Sequence, residues 1–296
     1  MDDLLFSIII PTYNRANFIE KTIDSALNQS YKEFEIIVID DGSTDNTEEF
    51  IAQNYKESVK YLKVLNGERG AARNKGAEVA KGNYVYFLDS DDLLYPNHLE
   101  EAYNFIDKNN SPTIFFQQYE FTLEDDRKKI NYRPKNNIIN KELIMNGNFL
   151  SCHGVFINRD FFQQNKFNED RNLAGSEDYE LWLRIASKEN IYFNPKVTST
   201  LVYHDDRSVL NYSSDKLIKR KLLFLETLKN NSLVYKFYKS NWNQLSSDAY
   251  SYISLHIALT KKDKLIAWKY YLYALILYPK TLTSKRSFAI IKHLIF

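Results

Sequence analysis

The sequence predicts an α/β fold: a mostly parallel central sheet flanked by helices, followed by a helical C-terminal segment. Two observations predict the sheet. Short apolar runs alternate with helical patterns over the first 110 residues, and near-continuous apolar strands separated by helices are typical of a parallel sheet buried on both faces. A third observation predicts the helical segment, because strand patterns disappear after about residue 210.

The first 110 residues contain four predicted strands and three predicted helices. The strands are rich in β-branched and aromatic residues and end at polar or Gly-containing turns: Phe6–Ile10, Phe34–Ile39, Val59–Leu65 and Tyr84–Leu88. The helices show helical spacing of apolar residues or a run of small residues: Phe18–Leu27, a helix capped by Thr44 or Asp45 that continues to about Tyr55, and Gly70–Ala80, which Gly82 ends.

The middle of the chain is less regular. Ile114–Phe121 and Cys152–Ile157 are predicted strands, and residues 124–137 are predicted to be an exposed loop or hairpin because charged residues and Asn dominate there. The pattern of Ser176–Ala186 predicts a helix with Ser176 as its N-cap and acidic residues in its first turn.

The composition is that of a globular protein in a reducing compartment. Of 296 residues, 44% are apolar and 26% charged, which argues against a disordered chain. The lone Cys152 excludes an internal disulfide and favours a cytoplasmic location. No secretory leader is visible, and no window reaches the roughly 18 apolar residues that a membrane span needs.

The formal charge is unevenly distributed. The chain carries +1 in total, but residues 211–296 contain 15 Lys and Arg against 4 Asp and Glu, which gives +11 and leaves −10 for residues 1–210. Such a division suggests an acidic body and a basic segment that faces something anionic. We therefore predict two domains, residues 1–210 and a basic, Tyr-rich helical segment 211–296.

Three carboxylates follow the fourth predicted strand: Asp89, Asp91 and Asp92. Like charges this close repel and raise one another's pKa unless a positive charge lies among them. Mg²⁺ or Mn²⁺ would supply that charge, since both prefer hard oxygen ligands. The alternative is a solvated Asp-rich turn that caps the helix beginning near Pro96.

Nucleotide-binding motifs of two common kinds are missing. The first strand is not followed by Gly-x-Gly-x-x-Gly, and the chain contains no Gly-Lys-Ser/Thr phosphate loop. The first strand ends instead in Pro11-Thr12-Tyr13, and the second ends in Asp40-Asp41-Gly42. An aromatic ring at such a loop can stack on a nucleobase, and a carboxylate can accept the N3–H of uracil. A plain turn before a helix is the alternative for the second loop.

Five motifs occur in order: Ser7–Arg15, Val38–Asp45, Ala72–Gly76, Lys81–Tyr84 leading into Leu88–Asp92, and Ser176–Tyr179. Together they resemble the family-2 inverting glycosyltransferases, which have the Rossmann-like GT-A fold. The resemblance covers roughly residues 5–210. Each motif alone is unspecific, but the five together, each in its expected strand or loop, make a chance match improbable.

The resemblance implies a role for each matching position. Pro11, Tyr13 and Asp41 would hold the nucleobase, with either Arg69 or Arg73 near base and diphosphate. The acidic positions would act as ribose contact (Asp89), ligand of Mn²⁺ or Mg²⁺ (Asp91), support for that ligand (Asp92) and general base (Asp178). His204 lies where some GT-A enzymes place a late metal or phosphate ligand.

Two features of the acceptor side leave alternatives open. The paired Gly and Phe that the family often has before its Glu-Asp are absent from residues 164–171. Glu177-Asp178 is also compatible with ordinary charge at a helix N-terminus, and Glu177 is the next candidate base. Trp182 is either a wall of the acceptor site or a residue of the core.

The resemblance implies a metal-dependent, inverting transfer of sugar from a UDP-sugar to a hydroxyl group of a glycan or lipid-linked acceptor, in the synthesis of surface polysaccharide. No nucleic-acid partner is expected. Two other classes are considered. One is a catalytically silent nucleotide-sugar-binding scaffold. The other is a sugar-phosphate nucleotidyltransferase, whose usual Gly-rich first loop is missing here.

Residues 211–296 predict a further partner. Leu265–Tyr278 combines Lys with Trp and Tyr, which favour the headgroup region of a membrane, while Lys is attracted to anionic lipid. Peripheral contact with the inner face of the cell membrane is the prediction. The alternative is a helical cap that packs on the body or on a second subunit in a homo-oligomer.

Overall fold

The structure is a computed structural model and describes residues 6–123, 125–203 and 213–295. Its described residues form two compact units. The first unit contains residues 6–123, 125–140, 149–171 and 177–203. The second unit contains residues 141–148, 172–176 and 213–295. The predicted division at residue 210 stays a prediction.

The strands of the described chain are, in order, β1 (Phe6–Thr12), β2 (Phe34–Asp40), β3 (Lys60–Lys63), β4 (Tyr84–Phe87), β5 (Leu93–Leu94), β6 (Ile114–Gln117), β7 (Glu120–Thr122), β8 (Lys128–Lys129), β9 (Val155–Asn158), β10 (Tyr192–Asn194) and β11 (Ser199–Val202). Seven of them form a central sheet in the order β10-β6-β9-β4-β1-β2-β3, and four form a smaller sheet in the order β5-β11-β7-β8.

The helices of the described chain are α1 (Ala16–Leu27), α2 (Thr47–Asn54), α3 (Glu68–Val79), α4 (His98–Lys108), α5 (Asn140–Asn146), α6 (Arg159–Gln163), α7 (Glu177–Ala186), α8 (Ser214–Asn230), α9 (Ser232–Tyr238), α10 (Trp242–Leu259), α11 (Lys264–Leu277) and α12 (Lys285–Ile295). Short 3-10 turns lie at Cys152–Gly154, Arg171–Leu173, Lys239–Asn241 and Pro279–Thr283.

The predicted parallel sheet is confirmed in its first half. Strand β1 pairs in parallel with β2 and with β4, so that Ile8 lies beside both Ile36 and Tyr86. Every residue of β1 and β4 is buried, as expected for strands covered on both faces. Because the carboxyl ends of these strands meet at one edge, the residues that follow Thr12, Asp40 and Phe87 come together there.

Helix α3 packs unusually close to this sheet. A Cβ atom at Gly76 would lie 2.3 Å from Cγ2 of Ile9, a distance that real Cβ atoms do not reach. The small residues of α3 thus let its backbone approach β1, and this close approach fixes where the arginines of α3 lie.

The second half of the sheet differs from the prediction. The apolar run from Ile114 divides into β6 and β7 at Gln118, whose N–H donates to Asn194 O in β10 and whose C=O accepts from Thr198 N, just before β11. Strand β9 enters the central sheet antiparallel to β4 and β6. A short apolar run carries no signal of strand direction, so the sequence could not predict this.

Other boundaries shift modestly. Cys152–Gly154 is a 3-10 turn that precedes β9 instead of part of the strand. The segment 124–137, predicted as an exposed loop or hairpin, contributes only one strand to a hairpin: its Lys129 pairs with Phe121 of β7, which precedes the segment. The predicted third strand, Val59–Leu65, shortens to β3.

The second unit is helical. Its core lies between α10, α11 and α12 and contains, among others, Ile253, Ile257, Tyr271 and Ile290. Hydroxyl groups of α10 donate to carbonyl groups of α11, as in the 2.8 Å bond from Ser254 Oγ to Ala267 O. None of the helices among the described residues is long and apolar enough to cross a membrane.

Candidate active site

Asp41 lies at the edge where β1 and β2 end. Its backbone N–H donates to Thr12 O at 2.8 Å, and its carboxylate accepts hydrogen bonds from Gly67 N at 2.7 Å and Asn66 Nδ2 at 3.1 Å. Burial raises the pKa of Asp41, although the hydrogen bond from Gly67 opposes this shift. Asn66 is a residue that sequence reasoning missed, because nothing in its loop distinguishes it.

The first two loops are joined by Asn14. Its backbone N–H donates to Ser43 Oγ at 2.9 Å, and its Oδ1 accepts from Thr44 N at 2.8 Å. Asn14 has φ +52°, a conformation that Asn tolerates better than most residues. Beside it, the Tyr13 side chain is 47% exposed, whereas Pro11 is buried within β1. An aromatic face is thus held open at the edge of the sheet.

The carboxylates of the acid run, residues 89–92, differ in their surroundings. Asp89 is 31% exposed, and its Oδ1 lies 2.6 Å from Arg73 Nη2. Burial alone would raise the pKa of Asp89, but the charges of Arg73 and Arg69 outweigh it and lower the pKa. Asp91 is 20% exposed, with Arg15 Nη2 at 4.0 Å from its Oδ2.

Asp92 is the most enclosed member of the acid run. Its side chain is 3% exposed, with Oδ2 at 3.2 Å from His153 Nδ1 and Oδ1 accepting from Val202 N at 3.1 Å. Burial raises the pKa of Asp92, and His153 opposes this. Asp92 therefore fixes the acid run to β11 and to His153, for which sequence reasoning found no role.

A metal site here would need ligands beyond the side chains. No group of three or more His, Cys, Asp or Glu side chains within residues 6–123, 125–203 and 213–295 is arranged to hold a metal ion. Mg²⁺ commonly binds one or two carboxylates together with phosphate oxygens. Asp91, a partly exposed carboxylate, fits that kind of site. His204 lies outside the described residues.

Glu177 and Asp178 begin α7 with different environments. Glu177 is 5% exposed, with Oε1 at 3.1 Å from Arg73 Nη1 and 3.9 Å from Arg69 Nε. Asp178 is only half-buried, and its Oδ1 accepts from Tyr179 N at 2.7 Å. The two adjacent carboxylates thus have different surroundings: Glu177 binds arginine inside the protein, whereas Asp178 is only partly buried.

Arg73 brings the acid run and the start of α7 together: its Nη2 lies 2.6 Å from Asp89 Oδ1, and its Nη1 lies 3.1 Å from Glu177 Oε1. Burial raises the pKa of the Cys152 thiol, on which the charges of Arg73 and Asp178 also act. An arginine of α3 therefore links the residues that follow β4 to the start of α7. These residues come from three motifs that are up to about one hundred positions apart in the sequence.

Two features of the predicted acceptor side are settled by burial and contacts. Trp182 is fully buried and donates from Nε1 to Leu150 O at 3.0 Å, so it belongs to the core and the acceptor-wall alternative is wrong. Phe167, in the segment that departs from the family pattern, is tied to α3. Its N–H donates to Asn74 Oδ1 at 2.9 Å, and its C=O accepts from Asn74 Nδ2 at 3.0 Å.

Structural comparison confirms the predicted fold class. TarS of S. aureus, residues 1–349 in complex with UDP-GlcNAc, superposes with a TM-score of 0.62 at 19% identity, over 96% of this chain and 92% of that one. A mannosyltransferase of Pyrobaculum calidifontis, PcManGT, in complex with GDP-Man and Mn²⁺, gives a TM-score of 0.56 at 17% identity, over 95% and 87%. The fold is therefore of the GT-A type.

Sequence comparison identifies the family. The model of "Glycosyl transferase family 2" matches residues 7–165. An uncharacterized glycosyltransferase of Rickettsia bellii is 34% identical over 83% of this chain, which spans only 38% of that relative's length. The Escherichia coli protein WfgD, a UDP-Glc:alpha-D-GlcNAc-diphosphoundecaprenol beta-1,3-glucosyltransferase, is 32% identical over 82% of this chain and 93% of its own length. The chain belongs to glycosyl transferase family 2.

Proposed function

We propose that this chain is an inverting glycosyltransferase that moves a sugar from a UDP-sugar to a hydroxyl group of a glycan or lipid-linked acceptor. The observation that carries the proposal is the bridge through Arg73, which lies 2.6 Å from Asp89 and 3.1 Å from Glu177 and so places the start of α7, where Asp178 is the second residue, beside the acid run. We assign the general base to Asp178 and the donor-side contact to Asp89. WfgD, named for UDP-Glc and a diphosphoundecaprenol acceptor, supports a role in surface polysaccharide synthesis.

The nucleobase is assigned to the edge where β1 and β2 end. Tyr13, with almost half of its surface exposed, would stack on the uracil ring. Asp41 would accept the N3–H of uracil: an ionised carboxylate has about four lone-pair sites, and Gly67, Glu68 and Asn66 use three of them. Pro11 is buried within β1, so it would fix the shape of the loop that follows β1 without touching the nucleobase.

The diphosphate is assigned to the acid run. Asp89 would contact the ribose, while Asp91 would hold Mg²⁺ or Mn²⁺ together with phosphate oxygens. When bound, the metal supplies positive charge that stabilises the leaving diphosphate. Asp92, enclosed by His153 and Val202, would keep the acid run in place without touching the donor.

The acceptor is activated by Asp178 in this proposal. The acceptor hydroxyl attacks the anomeric carbon from the face opposite the diphosphate and gives its proton to the Asp178 carboxylate, while UDP leaves with the electrons of the broken bond. A positioned base of this kind contributes roughly 10²–10⁴-fold to the rate. Glu177 is unsuited to this role, because it is buried and its carboxylate pairs with Arg73.

The second unit is assigned to an anionic membrane surface. Helix α11 is apolar on both faces: Ala267, Tyr270 and Tyr271 are buried, whereas Leu265, Leu272, Tyr273 and Ile276 are exposed. Lys269 lies among these exposed residues of α11. On α12, Lys285 and Lys292 lie near the exposed Phe288 and Ile295. Apolar side chains interleaved with lysine fit the headgroup region of anionic lipid.

The experiment that tests the activity measures UDP release and product structure together. The purified protein is incubated with UDP-sugars and extracted glycan-lipids in the presence of Mn²⁺. We expect UDP release that depends on the acceptor, and a product with the anomeric configuration opposite to that of the donor by NMR. Pyrophosphate release from UTP and a sugar phosphate would instead identify a nucleotidyltransferase, and UDP binding without transfer would identify a silent scaffold.

A further inference from the structure

Arg73 joins two parts of the site that are far apart in sequence. The side chain is 2% exposed, and its guanidinium lies between two carboxylates: Nη2 is 2.6 Å from Asp89 Oδ1, and Nη1 is 3.1 Å from Glu177 Oε1. Asp89 follows β4, and Glu177 is the first residue of α7. One planar group on α3 therefore connects the end of a central strand to the start of a helix.

The surroundings of Arg73 favour a fixed bridge over a mobile ligand contact. The guanidinium carbon lies 5.4 Å from the centre of the Phe167 ring, which packs against one of its faces. With both terminal nitrogens bonded to protein carboxylates and almost no surface exposed, Arg73 has little room for a substrate atom. Arg69, one turn earlier on α3, is 29% exposed and is the better candidate for a direct donor contact.

The chemistry of arginine suits this task. A guanidinium presents five donors in a rigid fork and can hold two carboxylates at once, whereas a lysine ammonium is a compact point charge on a flexible stem. Burying such a cation is costly unless it is paired, and breaking one pair leaves an uncompensated charge. The three groups therefore stabilise one another as a unit.

We propose that Arg73 is a positioning residue that couples the donor-side carboxylate Asp89 to helix α7, which carries the base Asp178. Through Asp89 it holds the donor ribose, and through Glu177 it fixes the first turn of α7, so that the base and the anomeric carbon keep their spacing. This inference rests on the proposed glycosyl transfer. It adds a role that differs from direct donor binding, which the family resemblance assigns to one of the two arginines.

A kinetic comparison tests the coupling. Asp89→Asn should raise the donor KM and Glu177→Gln should lower kcat, because each removes one end of the bridge. Arg73→Lys should do both, each by roughly 10- to 100-fold, since displacements of about 1 Å have effects of that size. The matched control is Arg127→Lys, whose exposed guanidinium pairs with Asp125 at 2.6 Å and should leave both constants within about twofold. Wild-type KM and kcat in Arg73→Lys would overturn the proposal.

A second measurement tests the bridge without any substrate. In the wild-type background, Asp89→Asn and Glu177→Gln should each lower the melting temperature. In the Arg73→Met background the same two changes should lower it much less, because the contact that each would break is already gone. If Arg73→Met does not fold, Arg73→Lys serves as the background, where at least one of the two changes should lose its destabilising effect. Equal shifts in both backgrounds would overturn the bridge.

The two measurements separate this inference from the proposed function. Absence of sugar transfer by the wild-type protein would contradict the transferase proposal and, with it, the coupling to Asp178. Smaller shifts in melting temperature in the Arg73→Met background combined with unchanged kinetics in Arg73→Lys would show a purely structural bridge and would likewise overturn the positioning role. Smaller shifts together with the combined KM and kcat defect support it.

Discussion

Asp40 and Asp41 are neighbours in the chain, but their carboxylates have different hydrogen-bond partners. Asp40 is fully buried and accepts hydrogen bonds from Ser43 N at 2.7 Å and from the Tyr61 hydroxyl at 2.6 Å. Asp41 instead accepts from Gly67 and Asn66 at the edge of the sheet. Asp40 thus holds the loop together, and Asp41 is the one of the pair that we assign to the nucleobase.

Asp41→Ala should weaken UDP binding. A hydrogen bond to a charged group contributes about 1.5–3 kcal/mol, so the Kd for UDP should rise roughly 10- to 100-fold, measured by calorimetry. The matched control is Asp40→Asn, which keeps an acceptor for Ser43 and should preserve UDP affinity in the folded protein. An unchanged Kd in Asp41→Ala would remove Asp41 from the nucleobase site.

Asp91→Asn should abolish the dependence of UDP affinity on Mn²⁺. The reason is that the contact of Asp91 with Arg15 is long, at 4.0 Å, whereas Asp89 lies 2.6 Å from Arg73 and Asp92 lies 3.2 Å from His153. Titrations of UDP with and without Mn²⁺ give the comparison, and Asp160→Asn, a 79% exposed side chain on α6, is the control. Full wild-type activity in excess EDTA would contradict any metal requirement.

Asp178→Asn should lower kcat by roughly 10²–10⁴-fold with little change in UDP affinity, as expected when a general base is lost. Single-turnover transfer and UDP calorimetry separate the two effects. Normal transfer by this variant would place the base elsewhere. Glu177 is buried against Arg73, so the base would then have to be a more exposed carboxylate.

The residues that follow β1, β2 and β4 could be predicted from the sequence because each belongs to a local pattern: an apolar run followed at once by a polar or aromatic residue. The edge of a parallel sheet then brings them together without further information. The start of α7 was predictable for the same reason, since Ser176, Glu177 and Asp178 form a local helix signal.

What the sequence could not predict is which partner each polar group takes. Asp92 pairs with His153, which is 61 positions away, and Arg73 pairs with Glu177, which is 104 positions away. Such pairs depend on how α3, α7 and the 3-10 turn at Cys152–Gly154 pack on the sheet. The spacing of apolar residues in the sequence does not predict that packing. The same limit explains why Trp182 could be placed in the core only from the structure.

His98 should make the first unit sensitive to acid. Burial lowers the pKa of His98 to about 3 in the folded protein, against about 6.5 in an unfolded chain. Between about pH 6.5 and pH 3, His98 is therefore protonated in the unfolded state but neutral in the folded state. The free energy of unfolding falls as the pH drops through this range. The limiting slope from one such group is about 1.4 kcal/mol per pH unit.

The measurement is urea unfolding of wild type and His98→Asn across this pH range. His98 Nδ1 lies 2.8 Å from Thr198 Oγ1, and Asn keeps a polar atom near that position. The difference between the two proteins should shrink towards acid pH, because only the wild type loses the contribution of His98. His293→Asn on α12 is the control, and parallel pH profiles for wild type and His98→Asn would contradict the prediction.

The last prediction concerns the outer faces of α11 and α12. The intact protein should co-sediment with liposomes that contain anionic lipid, and binding should weaken as salt rises, because each lysine near the surface contributes roughly 1 kcal/mol of screened attraction. Replacing Leu272 and Ile276 with Glu should remove binding, since the change places charge where apolar side chains would enter the headgroup region. The matched control is Leu65→Glu, an equally apolar and 94% exposed residue of the first unit, which should bind like wild type. No binding to anionic liposomes at low salt, or a stable dimer that the Leu272→Glu, Ile276→Glu double variant dissociates, would show that these faces pack on protein.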